Sequence, residues 1–436
     1  MNMKKLILLI TLLVINIGFA QEHFSGINIS RRVGLLNASF NPAELTNMSN
    51  KYEINVFNTS LNVSNNKVSF SDIINSDEDI EDLIFDGNEA ANMRLDLLVN
   101  GPAFAMKYKK WAFGISTNAV AKANIIDVDV NLGDALANSQ INSILGTTTV
   151  NSNYNQKINA ATWGEIGLSL ARDLFENDKY KFSAGTNIRL LFPSSFTNFA
   201  ADKFNGTIIN TPGNHTLTNT QANLNIAYSG PIADGFTDAD NFSDFFSSGI
   251  NGYAVDLGIN FKIKVADNPK DYKFNSGLAI KNIGSMTFKS DNNVSSNYNL
   301  NISNTQFLDL NQFEDVDNVK DIEGILISSG YLTKTNNQKD FTIKLPTLFT
   351  AYADLKLAKR FYVSAYTQQK LVDDSNNDFS TTQNSITLTP RFSGENYEIF
   401  IPLSDNEISG FAGGFGFRLG GFFMGSGSIL TAVIDD

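Results

Sequence analysis

Few residues in this sequence have the types and spacing that catalysis requires. The chain contains two histidines, His23 and His215, and no cysteine. Neither histidine lies near the Gly-x-Ser-x-Gly turn that exposes a serine nucleophile in many hydrolases. Two histidines without cysteine also fall short of the ligand set of a typical zinc site. The sequence therefore predicts no enzyme activity, with no catalytic residue, no cofactor and no metal site.

An acidic run between Ser71 and Glu89 carries the second candidate chemistry. Clustered carboxylates supply the oxygen ligands that Ca²⁺ prefers. The spacing departs from an EF-hand loop, because Asp82 stands where that loop requires glycine when counting begins at Asp77. We expect a solvated loop or a short amphipathic helix, and the sequence leaves divalent-cation binding by residues 71–89 open.

Charged residues follow a regular pattern in the long segment Gly252–Val265. Apolar residues occupy every second position from Tyr253 to Val265, and Asp256 lies among the polar or small residues between them. A period of two indicates a β-strand. The segment exceeds the usual strand of about 5–6 residues, and about 9–11 residues suffice to cross a bilayer at a tilt of about 45°. We expect its apolar face to contact lipid and its polar face to line a lumen.

Other segments repeat this alternation, and their charged positions define the predicted lumen face. Those residues are Lys181, Arg189, Asp256, Lys262, Lys264 and Arg418. A wet lumen tolerates such charges as ordinary lining. They would serve equally as a charged ligand path or as a salt-bridged socket for an internal plug, and the sequence does not separate these roles.

The N-terminus has the pattern of a secretory signal peptide. Lys4 and Lys5 precede an apolar run that ends with Ala20. We predict a signal peptide over residues 1–20, cleavage near Ala20 and localisation in the bacterial outer membrane. No later apolar run is long enough for a helical membrane span. The net charge of −12 argues against nucleic acid as a partner.

Thirteen segments with strand character follow residue 50. They lie near 51–61, 94–108, 111–122, 160–172, 180–192, 252–265, 273–287, 343–357, 360–370, 384–392, 395–403, 408–419 and 421–431. Short turns alternate with long polar loops, which is typical of an outer-membrane barrel. The long loops lie near 62–92, 123–160, 193–251, 288–342 and 372–384. We predict an all-β, antiparallel transmembrane β-barrel of about 14 strands over residues 51–436, with 12–14 strands present.

The odd count of segments has three explanations, because bacterial single-chain barrels have an even number of strands. The last segment does not span, or residues 193–251 hide a strand such as Ala222–Gly230, or a fourteenth strand is missing, which we favour. Aromatic residues beside the turns are expected at the two membrane interfaces. Trp163 is assigned to the outer interface, and the periplasmic one receives Tyr108, Trp111 and Tyr180.

The stretch Asn37–Leu45 resembles the Asn-Pro-Ala segment near the mature N-terminus of the long-chain fatty-acid transporter (FadL) family. The matching residues are Asn41, Pro42 and Ala43, and Glu44 stands where that family often has glycine. The resemblance implies that residues 21–50 plug a fourteen-stranded barrel that carries hydrophobic compounds. From residue type alone, Asn41 and Pro42 suit the N-cap and the first position of a short helix.

The C-terminal stretch Gly414–Val433 resembles the closing segment of outer-membrane barrels of the Bacteroidota. Two functions stay open. We favour passage of small hydrophobic or amphipathic molecules through a plugged lumen; the alternative is a non-transporting docking barrel for a secretion or cell-surface partner. Both imply contact with outer-membrane lipid and lipopolysaccharide. A secreted soluble β-protein is the remaining alternative.

Overall fold

The computed structural model describes residues 23–30, 34–69, 72, 83–137, 146–233, 242–265, 268–313, 316 and 318–434. Nearly all regular structure belongs to one sheet of 23 strand segments, and the paired strands run antiparallel. The predicted all-β, antiparallel fold is therefore confirmed. No helix among these residues combines the length and apolar character needed to cross a bilayer. The predicted signal peptide and most of the acidic run lie outside the described residues.

Thirteen passes of the chain form a barrel-like wall, and some passes consist of two shorter segments. The wall strands are β1 (Tyr52–Asn55), β2 (Asn58–Asn65), β3 (Ala91–Asn100), β4 (Ala103–Tyr108), β5 (Trp111–Val128), β7 (Asn155–Glu176), β8 (Tyr180–Thr211), β10 (Gly252–Val265), β11 (Asn268–Phe288), β15 (Phe341–Lys344), β16 (Leu348–Ala358), β17 (Phe361–Lys370), β18 (Ser385–Ser393), β19 (Tyr397–Phe400), β20 (Leu403–Asn406), β21 (Gly410–Gly413), β22 (Phe415–Leu419) and β23 (Phe422–Ser426).

Successive passes pair with each other from β1 and β2 through to β23. Within the described part of the chain, the first and last passes pair on one side only, so no fourteenth strand closes the ladder between them. The last predicted segment, 421–431, is partly wrong, because the strand stops at Ser426 and a helix follows at Ile429–Ile434.

The two faces of the wall have opposite chemistry. On β10, Tyr253 and Leu257 are 64% and 51% exposed on the outer face, whereas Asp256 is 2% exposed on the inner face. Neighbouring strands continue the outer apolar row with exposed Ile188, Leu278, Leu355, Ile386, Leu388, Ile399 and Phe411. No second protein layer covers these side chains within the described residues.

Aromatic and basic side chains lie together where the wall strands meet the short turns. The ammonium groups of Lys109 and Lys179 lie 5.4 and 5.1 Å from the ring centres of Tyr108 and Tyr180. The Arg172 guanidinium lies 4.8 Å from the Trp111 ring. This pairing of rings with cations suits an interface between apolar and aqueous phases.

Short helices precede the wall and interrupt its connections. Helix α1 spans Gly34–Phe40, and the 3-10 helices span Pro42–Asn47, Pro231–Ala233, Phe242–Phe246 and Leu310–Phe313. Buried side chains of the N-terminal segment, including Leu36 and Phe40, pack against Tyr352, Tyr366 and Phe400 from the wall. The N-terminal segment therefore contacts the inner face of the wall.

A smaller part of the sheet extends beyond the wall, and we call it the extension. It contains β6 (Gly146–Asn151), the second half of β8, β9 (Asn214–Ser229), β12 (Val294–Ile302), β13 (Leu308–Asp309) and β14 (Leu332–Gln338). Helices α2 (Val130–Ala137) and α3 (Val319–Ser328) contribute to its apolar core, with Leu224, Ile226 and Leu300 from the strands. The final helix of the chain, Ile429–Ile434, is α4.

The extension corrects the prediction of irregular loops over 193–251 and 288–342. Short alternating runs among the polar residues of both ranges form strands with their own core. The candidate hidden strand Ala222–Gly230 falls mostly within β9, which pairs with β8 and β12 in the extension and adds no pass to the wall.

Candidate functional site

The N-terminal segment reaches the wall through a cradle of inward-facing glycines. The cradle consists of Gly185 on β8, Gly258 on β10 and Gly277 on β11. A Cβ atom added to Gly185 would lie 2.6 Å from the carbonyl carbon of Pro42, and one added to Gly277 would lie 2.5 Å from Nδ2 of Asn41. The absence of side chains at these positions lets the backbone of the segment lie directly on the strands.

Asn41 joins the segment's own helix to two strands of the wall. Its Oδ1 accepts a hydrogen bond from the Ala43 amide at 3.0 Å, which is an N-cap contact, and Pro42 begins the 3-10 helix. Its Nδ2 donates to the carbonyls of Ile259 at 2.9 Å and Leu278 at 3.3 Å. The predicted capping roles of Asn41 and Pro42 are therefore confirmed.

Glu44 fills a buried polar socket in the wall. Its carboxylate accepts hydrogen bonds from Nδ2 of Asn260 at 2.8 Å and of Asn275 at 2.9 Å, and the Tyr352 hydroxyl also donates to it. The carboxylate at this position therefore adds three contacts between the segment and strands β10, β11 and β16.

Beside this segment, the wall encloses a cavity of about 590 Å³. Its amide lining includes Asn50, Asn55, Asn58, Asn62, Asn100, Asn118, Asn124, Asn187, Asn282 and Asn396. Its apolar lining includes Leu35, Leu36, Phe40, Leu98, Val120, Leu345 and Leu348. The cavity therefore offers a ligand both hydrogen-bonding and apolar surface.

A buried ionic network crosses four strands in the cavity lining, β7, β8, β10 and β11. Arg189 donates to Glu165 Oε1 at 3.0 Å and to Asp256 Oδ1 at 2.9 Å. Glu165 also accepts from the Trp163 indole at 2.9 Å. The same Arg189 donates to Oδ1 of Asn282 at 2.5 Å. Both carboxylates share one guanidinium, so each charge has an opposite partner although two carboxylates face a single cation.

A bulge in β11 completes this network. Val255 pairs with Ile283 whereas Leu257 pairs with Ile280. Two residues of β11, 281 and 282, therefore lie opposite the single residue Asp256. Asn282 takes a left-handed conformation with φ of 61°, and its amide donates to Asp256 Oδ1 at 2.7 Å. The bulge therefore directs both the backbone and the side chain of Asn282 toward the cavity.

A second group of charges lines the cavity on the first three passes. Asn62, Asp96 and Lys122 are register partners across β2, β3 and β5. Lys122 forms an ion pair with Asp96, and Nε2 of His23 lies 3.1 Å from the same carboxylate. One step toward the extension, Arg94 pairs with Asp374 at 2.8 Å. These charges are also paired.

The connection between β17 and β18, residues 371–384, crosses the lumen, and we call it the lid loop. Arg94 on β3 bonds Asp374, Lys157 on β7 donates to the Asn376 carbonyl at 2.8 Å, and Lys344 on β15 lies 3.3 Å from Asp378. Because these anchors lie on distant strands of the sheet, the loop closes the end of the lumen that faces the extension.

The electrostatics of the lid loop favour its closed position at neutral pH. Burial alone would raise the pKa of Asp374, but the charges of Arg94 and Lys370 outweigh it and hold that pKa below the ordinary value of 3.8. Asp374 therefore stays ionised and bound to Arg94 at neutral pH.

The cavity lining reaches two other surfaces. Ile54 and Ile115 line it, yet they are 72% and 47% exposed in the outward apolar row of β1 and β5. The first pass is interrupted here between β1 and β2, at residues 56–57. The second pass is interrupted between β3 and β4, at residues 101–102. The lining also includes the turn residues Glu395, Asn396, Gly420 and Gly421. The cavity therefore contacts the outer face of the wall and the rim of short turns.

The six residues predicted to face the lumen do not form one site. Arg189 and Asp256 meet in the network described above, and Arg418 also lines the cavity, where it donates to the Gly420 carbonyl at 2.7 Å. The other three predicted residues lie outside the cavity lining. Lys181 pairs with Asp173 at 3.0 Å and donates to the carbonyl of Thr46 in the N-terminal segment. Lys262 lies 5.1 Å from the Tyr272 ring centre. Lys264 pairs with Glu176 at the rim of short turns, away from the cavity.

The assignment of Trp163 to the outer interface was wrong. Trp163 lies two residues before Glu165 on β7, so the period of two places both side chains on the inner face. Trp163 is buried in the cavity lining, where its indole donates to Glu165. The interface assignment followed its aromatic type and its place near the strand end, whereas the alternation of β7 directs it inward. The asparagines of the cavity were also missed, because asparagine occurs in both the loops and the strands of this sequence and does not by itself mark a site.

The two histidines lie in different regions, His23 beside Asp96 in the cavity lining and His215 in the extension. His215 is buried in the extension, where its Nδ1 lies 3.0 Å from Asn210 Oδ1. In the part of the chain that the structure describes, no group of three histidine, cysteine or acidic side chains is arranged to hold a metal ion.

Comparison with known proteins gives a family and distant structural likenesses. A family of unknown function, DUF5723, matches residues 42–427. No curated protein matches the sequence significantly. The toluene transporter TodX of Pseudomonas putida is 12% identical with a TM-score of 0.34, and the match covers 88% of this chain and 93% of TodX. The ferric yersiniabactin uptake receptor FyuA of Yersinia pestis is 9% identical with a TM-score of 0.27, covering 85% of this chain and 46% of FyuA.

Proposed function

The chain belongs to the DUF5723 family of unknown function, and from that premise we propose that it is an outer-membrane barrel through which small amphipathic molecules pass. The observation that carries this proposal is a cavity of about 590 Å³ whose lining reaches both the outer face of the wall and the rim of short turns. A pocket of this size is ordinary for a small ligand.

The outer apolar ribbon supports a membrane location for the wall. Leucine, isoleucine and aromatic side chains are exposed along its strands, and water would disfavour so large an apolar surface. In lipid the same surface is favourable, and charged residues on the inner face stay in a polar interior. Export by the predicted signal peptide would bring the chain to this membrane.

The N-terminal segment supports a plugged lumen rather than an open pore. Glu44, Asn41 and the glycine cradle hold the segment to strands β8, β10, β11 and β16. The lid loop closes the lumen at the extension side through Arg94 and Lys157. With both obstructions in place, a molecule in the cavity communicates with the outer face near Ile54 and Ile115 and with the rim of short turns.

Uptake of N-phenyl-1-naphthylamine into Gram-negative cells tests this function, since its fluorescence rises in apolar surroundings. We expect cells that express the full chain to take up the probe faster than cells with an empty vector. Leu98→Trp, which fills the cavity, should abolish the gain. Leu388→Trp, on the outer face, is the matched control and should retain it. Equal uptake in all four cultures contradicts the proposal.

A docking barrel remains the second candidate, and the ordered extension is the observation that favours it. The extension has its own core and exposes Asn297, Asn299 and Thr335 on one face. A stoichiometric partner that co-purifies from solubilised outer membranes, and that Asn299→Lys with Thr335→Lys removes, would support docking. A barrel that purifies alone argues against it.

A further inference from the structure

We propose that the cavity selects neutral amphiphiles whose head group carries several hydroxyls, such as alkyl glycosides, over amphiphiles with a charged head group. This inference rests on the proposed passage function and names the class of molecule that would pass. It follows from the pairing state of the charges, the amide lining and the buried polar atoms that lack a partner.

Most charged groups of the cavity already bind other groups of the protein. Arg189 is shared by Glu165 and Asp256, and Asp96 is paired with Lys122. Glu53 accepts hydrogen bonds from the amides of Gly34 and Leu35 at 3.2 and 2.9 Å. Lys281 lies 5.2 Å from the centre of the Phe40 ring, and Glu395 is at the exposed rim. A charged head group would have to break one of these pairs or stay unpaired in a partly desolvated site.

The amides form a continuous hydrogen-bonding surface on the first three passes. Asn58 pairs in register with Asn100, and Asn100 with Asn118. Asn100 Nδ2 donates to Asn58 Oδ1 at 2.6 Å, and Asn58 Nδ2 donates to Asn55 Oδ1 at 2.8 Å. Each amide both donates and accepts, as a hydroxyl does, so this surface matches a polyhydroxylated head group without requiring charge.

Three buried polar side chains of the lining keep an atom without a hydrogen-bond partner among the described residues. They are Nε of Arg94, Nε of Arg189 and Oε1 of Gln383, and each residue is less than one-tenth exposed. Buried polar atoms are normally satisfied, so a ligand that both donates and accepts would complete them. Because these atoms include both donors and an acceptor, a carboxylate, which only accepts, or an ammonium group, which only donates, would leave some of them unsatisfied.

The same cavity gives an apolar chain its own contacts. Leu35, Leu36 and Phe40 come from the N-terminal segment, and Leu345 and Leu348 come from β16 and the residues before it. Leu98 on β3 packs against the cluster that contains Leu36 and Phe40, so this apolar surface adjoins the asparagines of the first passes. The cavity therefore offers neighbouring polar and apolar contacts to the two ends of an amphiphile.

Trp163 provides a reporter inside the cavity. The sequence has two tryptophans, and Trp111 lies on the outer face near the turn. Trp111→Phe therefore leaves Trp163 as the single tryptophan of the full chain. In lipid nanodiscs, its emission would be followed during titration with octyl glucoside, octanoate and octyltrimethylammonium, which share one chain length and differ in head group.

We expect octyl glucoside to change Trp163 emission saturably below its micelle concentration. The two charged probes should need concentrations at least about tenfold higher, because burying an unpaired charge is costly. Gln383→Leu should weaken octyl glucoside binding roughly fivefold or more through loss of one acceptor. Asn297→Leu, on the exposed face of the extension, is the matched control and should leave binding unchanged. The ranking of the head groups needs no substitution in the cavity.

Octanoate or octyltrimethylammonium binding as tightly as octyl glucoside would overturn the head-group preference. If naphthylamine uptake still depended on Leu98 in that case, the proposed passage would stand while this inference fell. If none of the three probes altered Trp163 emission and Leu98→Trp left uptake unchanged, the passage function itself would be contradicted.

Discussion

The wall and the extension use the same strand pattern with opposite orientations toward solvent. On β10 of the wall, Leu257 is exposed and Asp256 is buried. On β9 of the extension, Leu224 is buried and Asn223 is exposed. A period of two thus specifies a strand in both regions, but it does not specify which face meets water.

The difference follows from what covers the apolar face in each region. In the extension, helices α2 and α3 supply Ala135 and Leu326 to a core with Leu224 and Ile226. In the wall, no protein covers Leu257 among the described residues, and the polar face carries buried ion pairs. The wall carries apolar side chains on its outer face and charged ones inside, whereas the extension packs its apolar side chains into a core.

Breaking an ion pair inside the wall should have the largest effect on stability. Arg391 forms a buried ion pair with Asp354, and both side chains are almost fully inaccessible. Arg391→Met leaves a buried carboxylate without its cation and should cost about 3–5 kcal/mol in the free energy of unfolding. Urea titration in lipid vesicles measures this cost. Asn301→Met, on the exposed face of the extension, is the control. If Arg391→Met lowered the free energy of unfolding no more than this control does, the Arg391–Asp354 ion pair would not be buried inside the wall.

Introducing arginine on an exposed side chain should separate the two regions next. Leu257→Arg should destabilise the wall by about 2–4 kcal/mol, because the outer face would place the charge in lipid. Asn297→Arg is similarly exposed but lies in the extension, where the cost should stay within about 0.5 kcal/mol. The same urea titration compares them. Equal costs would mean that both faces meet water.

Filling the glycine cradle should have a smaller effect that is confined to the N-terminal segment. Gly185→Ala places a methyl group against Pro42 and should cost about 1–3 kcal/mol through overpacking. Faster amide hydrogen exchange over residues 34–47 reports the displacement. Gly324→Ala in α3 meets no atom within 4 Å and serves as the control from the extension. Unchanged exchange in Gly185→Ala would show that the segment does not depend on the cradle.

The smallest expected effect is the pH response of the lid loop. The lowered pKa of Asp374 means that its contribution to stability is present above the ordinary carboxylate pKa of 3.8. That contribution is lost only as the pH falls through the lower folded-state value. The emission of Phe379→Trp should therefore stay constant from about pH 7 to pH 5. Adding Asp374→Asn should shift that emission already at neutral pH, because the Arg94–Asp374 ion pair is lost. An unchanged spectrum would show that this ion pair does not hold the loop in place.

The sequence predicted the wall well because apolar alternation is strong there. The strand containing Asp256 and Leu257 was predicted with its faces, since thirteen alternating positions leave one orientation for a barrel. The Asn41–Pro42 cap was predicted for a local reason, the match between side chain and helix start. Strand alternation and helix capping both depend only on residues that are close in sequence, so the sequence alone predicts them.

The extension and the cavity could not be predicted in the same way. Strands such as β12 carry asparagine at alternate positions, which reads as loop composition until a partner strand is known. Trp163 shares the inner face with Glu165 two residues later, but its aromatic type and its place near the strand end favoured an interface role. The Arg189 network joins residues far apart in sequence, and the spacing of Glu165, Asp256 and Asn282 along the chain contains no sign of it.

Accessibility of single cysteines to lipid and to water tests the two faces of the wall most directly. The chain has no native cysteine, so Leu257→Cys, Leu388→Cys and Asn297→Cys each give one site for a nitroxide label in reconstituted vesicles. At positions 257 and 388 we predict relaxation by oxygen, which concentrates in lipid, and protection from a water-soluble nickel chelate. Position 297 should show the reverse. Labels at 257 and 388 that respond to the nickel chelate as strongly as the label at 297 would contradict the account.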